Sequence, residues 1–136
     1  MQIHTTFLDK VDHQPLSADT VADYFHHLQP DDLIYSNGGY CEFPGIILFF
    51  ILLSPDKISF RYDCNIPDAR RGSAWYSVTD MENRAVVDAG DEQFVPLASF
   101  VDKATALEII AQFFRQPEEK PAAVHWASAD FFEWPE

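Results

Sequence analysis

The apolar and polar positions of this chain divide it into short alternating segments around one continuous apolar run, IILFFILL, at Ile46–Leu53. As a helix that run would rise only about 12 Å, against a hydrocarbon slab of about 30 Å. As a strand it would extend about 26 Å. It is rich in Ile and Phe, and Pro44-Gly45 and Ser54-Pro55 punctuate its ends. The run therefore predicts the central strand of a sheet, covered on both faces and placed in a core rather than a membrane.

Around it the pattern predicts further elements. Ile3–Asp9 reads as a first strand. Ser17–Leu28 reads as a helix with Ser17 as N-cap and Val21, Tyr24, Phe25 and Leu28 on its apolar face. Pro30 ends it, DLIYSN reads as a second strand, and Asn37-Gly38-Gly39 as a turn. In KISFRYDC, Ile58, Phe60, Tyr62 and Cys64 alternate with Ser59, Arg61 and Asp63, the mark of a half-buried strand. NIPDARRG reads as a loop. SAWYSVT and RAVVDA flank Asp80-Met81-Glu82-Asn83, which reads as a hairpin turn; DAGDE is another turn, and QFVP a short strand stopping at Pro96. From about Asp102 to Gln116 the period becomes helical, with Ala104, Leu107, Ile110, Ala111 and Phe114 as the stripe. AAVHW reads as a last strand, followed by an aromatic, acidic tail at 128–136. The expected fold is α+β: one domain over 1–136, mainly an antiparallel sheet with two principal helices packed on it.

Composition changes this picture in one respect, the charge. A hydrophobic content of 47% excludes a disordered chain even at a net charge of −13. Its 22 acidic residues against 9 basic ones are spread along the whole length. Phosphate contacts need a basic surface, so direct binding of nucleic acid or an anionic membrane is disfavoured. An acidic surface serves solubility, and it also steers a basic protein partner. The opening MQIHTTFLDK lacks the basic start and apolar core of a signal peptide. A cytoplasmic location is expected, with Cys41 and Cys64 as free thiols.

Catalytic motifs are missing. There is no GxGxxG, P-loop, HExxH, CxxC pair or GxSxG, and no cofactor or metal is expected. His26 and His27 are adjacent late in a helix, about 100° apart around its axis, which suits the helix dipole better than a shared metal. Asp88, Asp91 and Glu92 offer carboxylates for a cation or an acid–base pair, yet the Asp-x-Gly-Asp setting is ordinary turn chemistry. Cys64 falls on the apolar face of its strand and reads as a small buried hydrophobe. Trp75 and Trp126 lie in predicted strands. Phe131, Phe132 and Trp134 in the tail either fold back over the core or present an aromatic anchor to a partner.

Several features of the second half follow one another in a recognisable order. They are AWYSV (Ala74–Val78), GDEQFVP (Gly90–Pro96) and Ser99, then the helix ATALEIIAQFF (Ala104–Phe114), then Pro121, Val124 and Trp126. In this order and spacing the stretch from about Ile58 to Trp126 resembles a family of small bacterial immunity proteins, the group numbered one in polymorphic toxin and contact-dependent inhibition systems. The RQPEEKP link, where glycine is common, and the FFEWPE extension depart from that pattern. The resemblance implies a cytoplasmic antidote, not an enzyme. It would bind one cognate, basic toxin domain, a nucleic-acid-targeting deaminase or nuclease, and block its active site by occupancy. The alternatives are an acidic adaptor or secretion chaperone, and a small enzyme using Asp88, Asp91 and Glu92. The expected partner-binding residues are Asp80, Glu82, Asp88, Asp91 and Glu92 in the acidic turns, with Glu133 and Trp134 from the tail.

Overall fold

The computed structural model describes residues 2–64, 73–90 and 92–135. Its main sheet is antiparallel. The strands are β1 (His4–Phe7), β2 (Val11–Pro15), β3 (Gly38–Phe43), β4 (Ile46–Ser54), β5 (Lys57–Cys64), β6 (Ser73–Val78), β9 (Phe100–Val101) and β10 (His125–Ser128). They run in the order β10-β6-β5-β4-β3-β1-β2, with β9 pairing the start of β5 beside β6. A separate hairpin joins β7 (Val86–Asp88) to β8 (Phe94–Pro96). The α+β class expected from the sequence is what the chain adopts. The apolar run is the midmost strand, β4, and no helix among the described residues is long and apolar enough to cross a membrane.

One face of the sheet is roofed by two helices, α1 (Ala18–His26) and α2 (Lys103–Arg115). Ser17 caps α1, its hydroxyl accepting from the Thr20 N–H, and Asp102 caps α2 by accepting from the Thr105 N–H. Val21 and Phe25 of α1 meet Phe7, Phe50 and Phe60 of the sheet, with ring centroids 4.9 Å apart for Phe7–Phe25 and 5.0 Å for Phe25–Phe50. On α2 the buried face is Ala106, Ile109, Ile110 and Phe113. The expected stripe has the right period and the wrong phase: Ala104 and Ala111 are exposed, and Leu107 and Phe114 only flank the core. Because the helix is apolar around more than half its girth, the sequence period alone did not choose between neighbouring stripes. Ile46, Leu48, Phe50 and Leu52 of β4 are all buried under this roof. At about 1.5–3 kcal/mol each, they contribute on the order of 6–12 kcal/mol as an upper bound.

The second face differs from the expectation. Ile47, Phe49 and Ile51 are only half-buried, and Leu53 is exposed. Among the described residues this face lacks a continuous layer and carries partial cover from the β7–β8 hairpin and the C-terminal tail. Buried serines fix that cover. The Ser59 and Ser99 hydroxyls lie 2.6 Å apart, Ser99 donates to the Pro96 carbonyl, and Ser77 donates to the Ser99 carbonyl. The tail adds a second, smaller core in which Phe132 packs edge-on against Tyr76, beside Val78, Ala98 and Ala127.

Four more expectations are corrected by their local chemistry. DLIYSN is not a strand. Pro30–Leu33 form a 3-10 turn opened by Pro30, with the Asp32 carboxylate accepting from the Gln29 N–H. Gly38 and Gly39 do not make a turn but begin β3. A Cβ at Gly39 would sit 2.2 Å from the Thr6 carbonyl oxygen, so only glycine lets β1 and β3 approach over the Phe50 ring. The turn into β4 falls at Pro44-Gly45, where Gly45 takes φ 82°. Asp80–Asn83 is a turn, with Asn83 N–H reaching the Asp80 carbonyl, but not a hairpin turn: β6 pairs with β5 and β10, and β7 with β8. The last strand is His125–Ser128 rather than AAVHW, and β2 is a strand the polar sequence VDHQP did not announce. The NIPDARRG loop lies outside the described residues.

Candidate functional site

The partly open face of the sheet is where chemistry and charge meet. Thr6, Tyr40, Phe49, Arg61, Tyr76 and Ala127 are successive cross-strand partners, forming one row across six strands. With Phe94 and Val95 of the hairpin above, part of this row lines a cleft of about 530 Å3. The Arg61 guanidinium stacks over Phe49 at 4.5 Å from the ring centroid. Its Nε and Nη2 donate to the two oxygens of Asp63, at 2.7 and 2.9 Å. Burial works against the Arg61 charge, but hydrogen bonds to Asp63 and Tyr76 outweigh it and hold the guanidinium above its usual range. The one cation of this cleft row is therefore already bonded to a carboxylate.

The acidic residues singled out from the sequence gather on the hairpin and tail that partly cover this face, in two groups. At the base of the hairpin, the Asp80 carboxylate accepts from the Glu82 N–H, and Glu82 is exposed. The Glu133 N–H donates to the Arg84 carbonyl, which brings Glu133 and Trp134 alongside this loop. Trp134 packs on Tyr76 at 5.4 Å, its indole N–H donates to the Ala129 carbonyl, and it stays 36% exposed. The tail thus folds back over a core, with Trp134 at its edge. At the tip of the hairpin, Asp88 accepts from the Gly90 N–H and Glu92 adopts a left-handed φ of 63°. Asp91 lies outside the described residues. Asp80, Glu82, Glu133 and Trp134 are thus brought together, while Asp88 and Glu92 stand at the far end of the hairpin.

Other ionisable groups are structural. Among the described residues, no charged side chain is buried and no group of three or more His, Cys, Asp or Glu is placed to hold a metal ion. His26 lies in the last turn of α1, and the His27 ring nitrogen meets the Asp23 carbonyl at 2.9 Å, as expected for helix-end histidines. Lys10 bonds Asp32 at 3.0 Å; the Gln29 N–H and then Lys10 hold that carboxyl below its usual value. Burial pushes the Cys41 thiol up to about 12, and burial likewise raises the Tyr62 hydroxyl to about 12. Cys41 and Cys64 are both free, on strands that flank β4 on opposite sides. Two strand spacings, about 10 Å, exceed what a disulfide spans.

The sequence reading missed two features. The Tyr40–Phe49–Arg61–Tyr76 row spans four strands, and nothing in any one of them marks it. The pattern DLIYSN places Ile34 and Tyr35 in a strand, yet they are 67% and 88% exposed. Pro30-Asp31-Asp32, a helix-start pattern ahead of them, was the available signal.

A scan against protein-family models finds no match to this sequence, and neither does a search of curated proteins.

Proposed function

We propose that this protein is an inhibitor working by occupancy: a cytoplasmic immunity protein whose acidic surface binds a basic toxin domain and shields its nucleic-acid-processing site. The observation that carries this reading is uncompensated charge. The chain has 22 acidic and 9 basic residues, yet only three ion pairs occur among the described residues, one of them through a histidine. Carboxylates left facing water give a field that attracts a cationic surface and speeds encounter with it. A toxin that acts on nucleic acid must present a positive groove, and an acidic plug both fits that groove and excludes its substrate. The ordered resemblance from AWYSV to Trp126 supports the same reading.

The test is co-purification with the product of the gene directly upstream, which this reading expects to carry a toxin domain, followed by binding kinetics at rising salt. The expected result is a stable complex whose association rate falls by roughly 10- to 100-fold between about 0.05 and 0.5 M salt. Joint neutralisation by Asp80→Asn, Glu82→Gln, Asp88→Asn, Glu92→Gln and Glu133→Gln should reproduce most of that loss at low salt, with an unchanged circular dichroism spectrum. Absence of a complex, or association indifferent to salt, rejects the reading.

A further inference from the structure

At the end of the sheet where β3 begins and β4 finishes, three segments converge on Asn37. Its side-chain amide donates to the Leu52 carbonyl at 3.2 Å and to the Ala89 carbonyl at 2.9 Å, while the Asn37 backbone carbonyl accepts from the Leu52 N–H at 2.7 Å. The loop after the 3-10 turn, the end of β4 and the tip of the β7–β8 hairpin are thereby pinned together. Around this clamp lies a cavity of about 460 Å3, lined by Ile34, Tyr35 and Leu53 among others. Those three side chains are 67%, 88% and 46% exposed.

Large apolar groups displayed on pinned backbone differ from scattered surface hydrophobes. Hydrogen bonds from the Ile34 N–H to the Asp31 carbonyl and at Asn37 hold the backbone on both sides of Tyr35, which reduces the backbone entropy lost on binding. An aromatic ring beside aliphatic side chains is the composition of an interface anchor. Asp31, Asp88 and Glu92, all exposed, are in the segments that carry the patch.

We infer that Ile34, Tyr35 and Leu53, on segments whose neighbouring positions carry the exposed carboxylates Asp31, Asp88 and Glu92, form a docking surface for a basic protein segment that presents an apolar side chain between arginines or lysines. Complementary charge selects this occupant. A second copy of the chain would set two domains of net charge −13 against each other. The inference deepens the proposed function by placing the anchor of the contact on the loop after the 3-10 turn and the end of β4, beside the hairpin tip, rather than at the tail, and it rests on that reading for the identity of the partner.

Two arms test it. In the first, a synthetic peptide alternating Arg and Leu is titrated into the isotope-labelled protein, with an alternating Glu and Leu peptide as control. Amide shifts confined to 31–37, 52–53, 88–90 and 92–93 with the basic peptide alone support the surface, whereas shifts elsewhere or none overturn it. The double variant I34S/Y35S should bind that peptide at least about tenfold more weakly, while M81S, an exposed apolar residue on another loop, should bind as the parent does. In the second arm the toxin domain expected from the upstream gene replaces the peptide. If the parent protein binds it and I34S/Y35S binds it equally well, the surface is wrong and the inhibitor reading stands. If the peptide maps to the patch while the toxin domain is not bound, the surface stands and the inhibitor reading fails.

Discussion

Cys41 and Cys64 differ in environment more than in sequence. Cys41 is fully buried on β3, accepts a weak bond from the Thr5 hydroxyl at 3.5 Å, and has its thiol pushed up to about 12 by burial. At neutral pH it carries almost no thiolate, which is the reactive form. Cys64, at the end of β5, is only half-buried. A thiol-reactive dye at neutral pH should therefore label Cys64 in the native protein and reach Cys41 only after unfolding; two native equivalents at similar rates would contradict the packing described. Gly39 makes a sharper case. Its missing Cβ leaves room for the Thr6 carbonyl and the Phe50 ring, so Gly39→Ala should lower stability by about 1–3 kcal/mol in urea titration. At Gly38 the nearest atom to a Cβ would be 3.2 Å away, a tighter contact than usual but not a collision, so Gly38→Ala should cost less.

Among the elements, the helices and the long strands were legible in the sequence because one local signal fixed each. Ser17 caps α1, the helical period from about Asp102 marks α2, the apolar run marks β4 as a strand though not the exposure of its second face, and β5 alternates. What escaped was decided by partners distant in sequence. VDHQP becomes β2 because β1 offers it an edge, and Gly38-Gly39 becomes strand because β1 and Phe50 press on it. The candidate acidic turns were readable as turns, but their division into a base group and a tip group follows from β7 pairing with β8 instead of β6.

The α2 cap yields a prediction with a defined sign. Asp102 has its carboxyl held below the ordinary value of 3.8 by the Thr105 N–H first and the Thr105 hydroxyl second. A lowered folded-state value stabilises the protein above the unfolded-state value, and that contribution is lost as the pH falls through the folded one. Asp102→Asn should therefore flatten the decline in stability below about pH 4, measured by urea titration from pH 2 to 6; an unchanged slope would count against the cap. Phe132 tests the tail as an element. It is buried against Tyr76, and Phe132→Ala should cost about 3 kcal/mol and alter tryptophan fluorescence through Trp134, which packs on the same ring. A loss under about 0.5 kcal/mol would mean that the tail only rests on the sheet.

For the whole molecule, charge and packing are kept apart. Among the described residues no carboxylate is buried, the buried side chains with polar character are the hydroxyls of Thr5, Ser59, Ser77 and Ser99, and no buried side-chain polar atom lacks a partner. Neutralising the acidic turns should thus change what the protein meets without changing how it folds. The position of β4 has its own consequence, in time rather than in energy. It is joined to β3 and β5 by the two adjacent pairings of a meander, while β2 and β10 hang at the two rims. Short loops close before long ones, so the interior strands should zip together early and the rims last. Native-state hydrogen exchange should then run as a gradient, with the slowest amides in β4 and β5 and the fastest in β2 and β10.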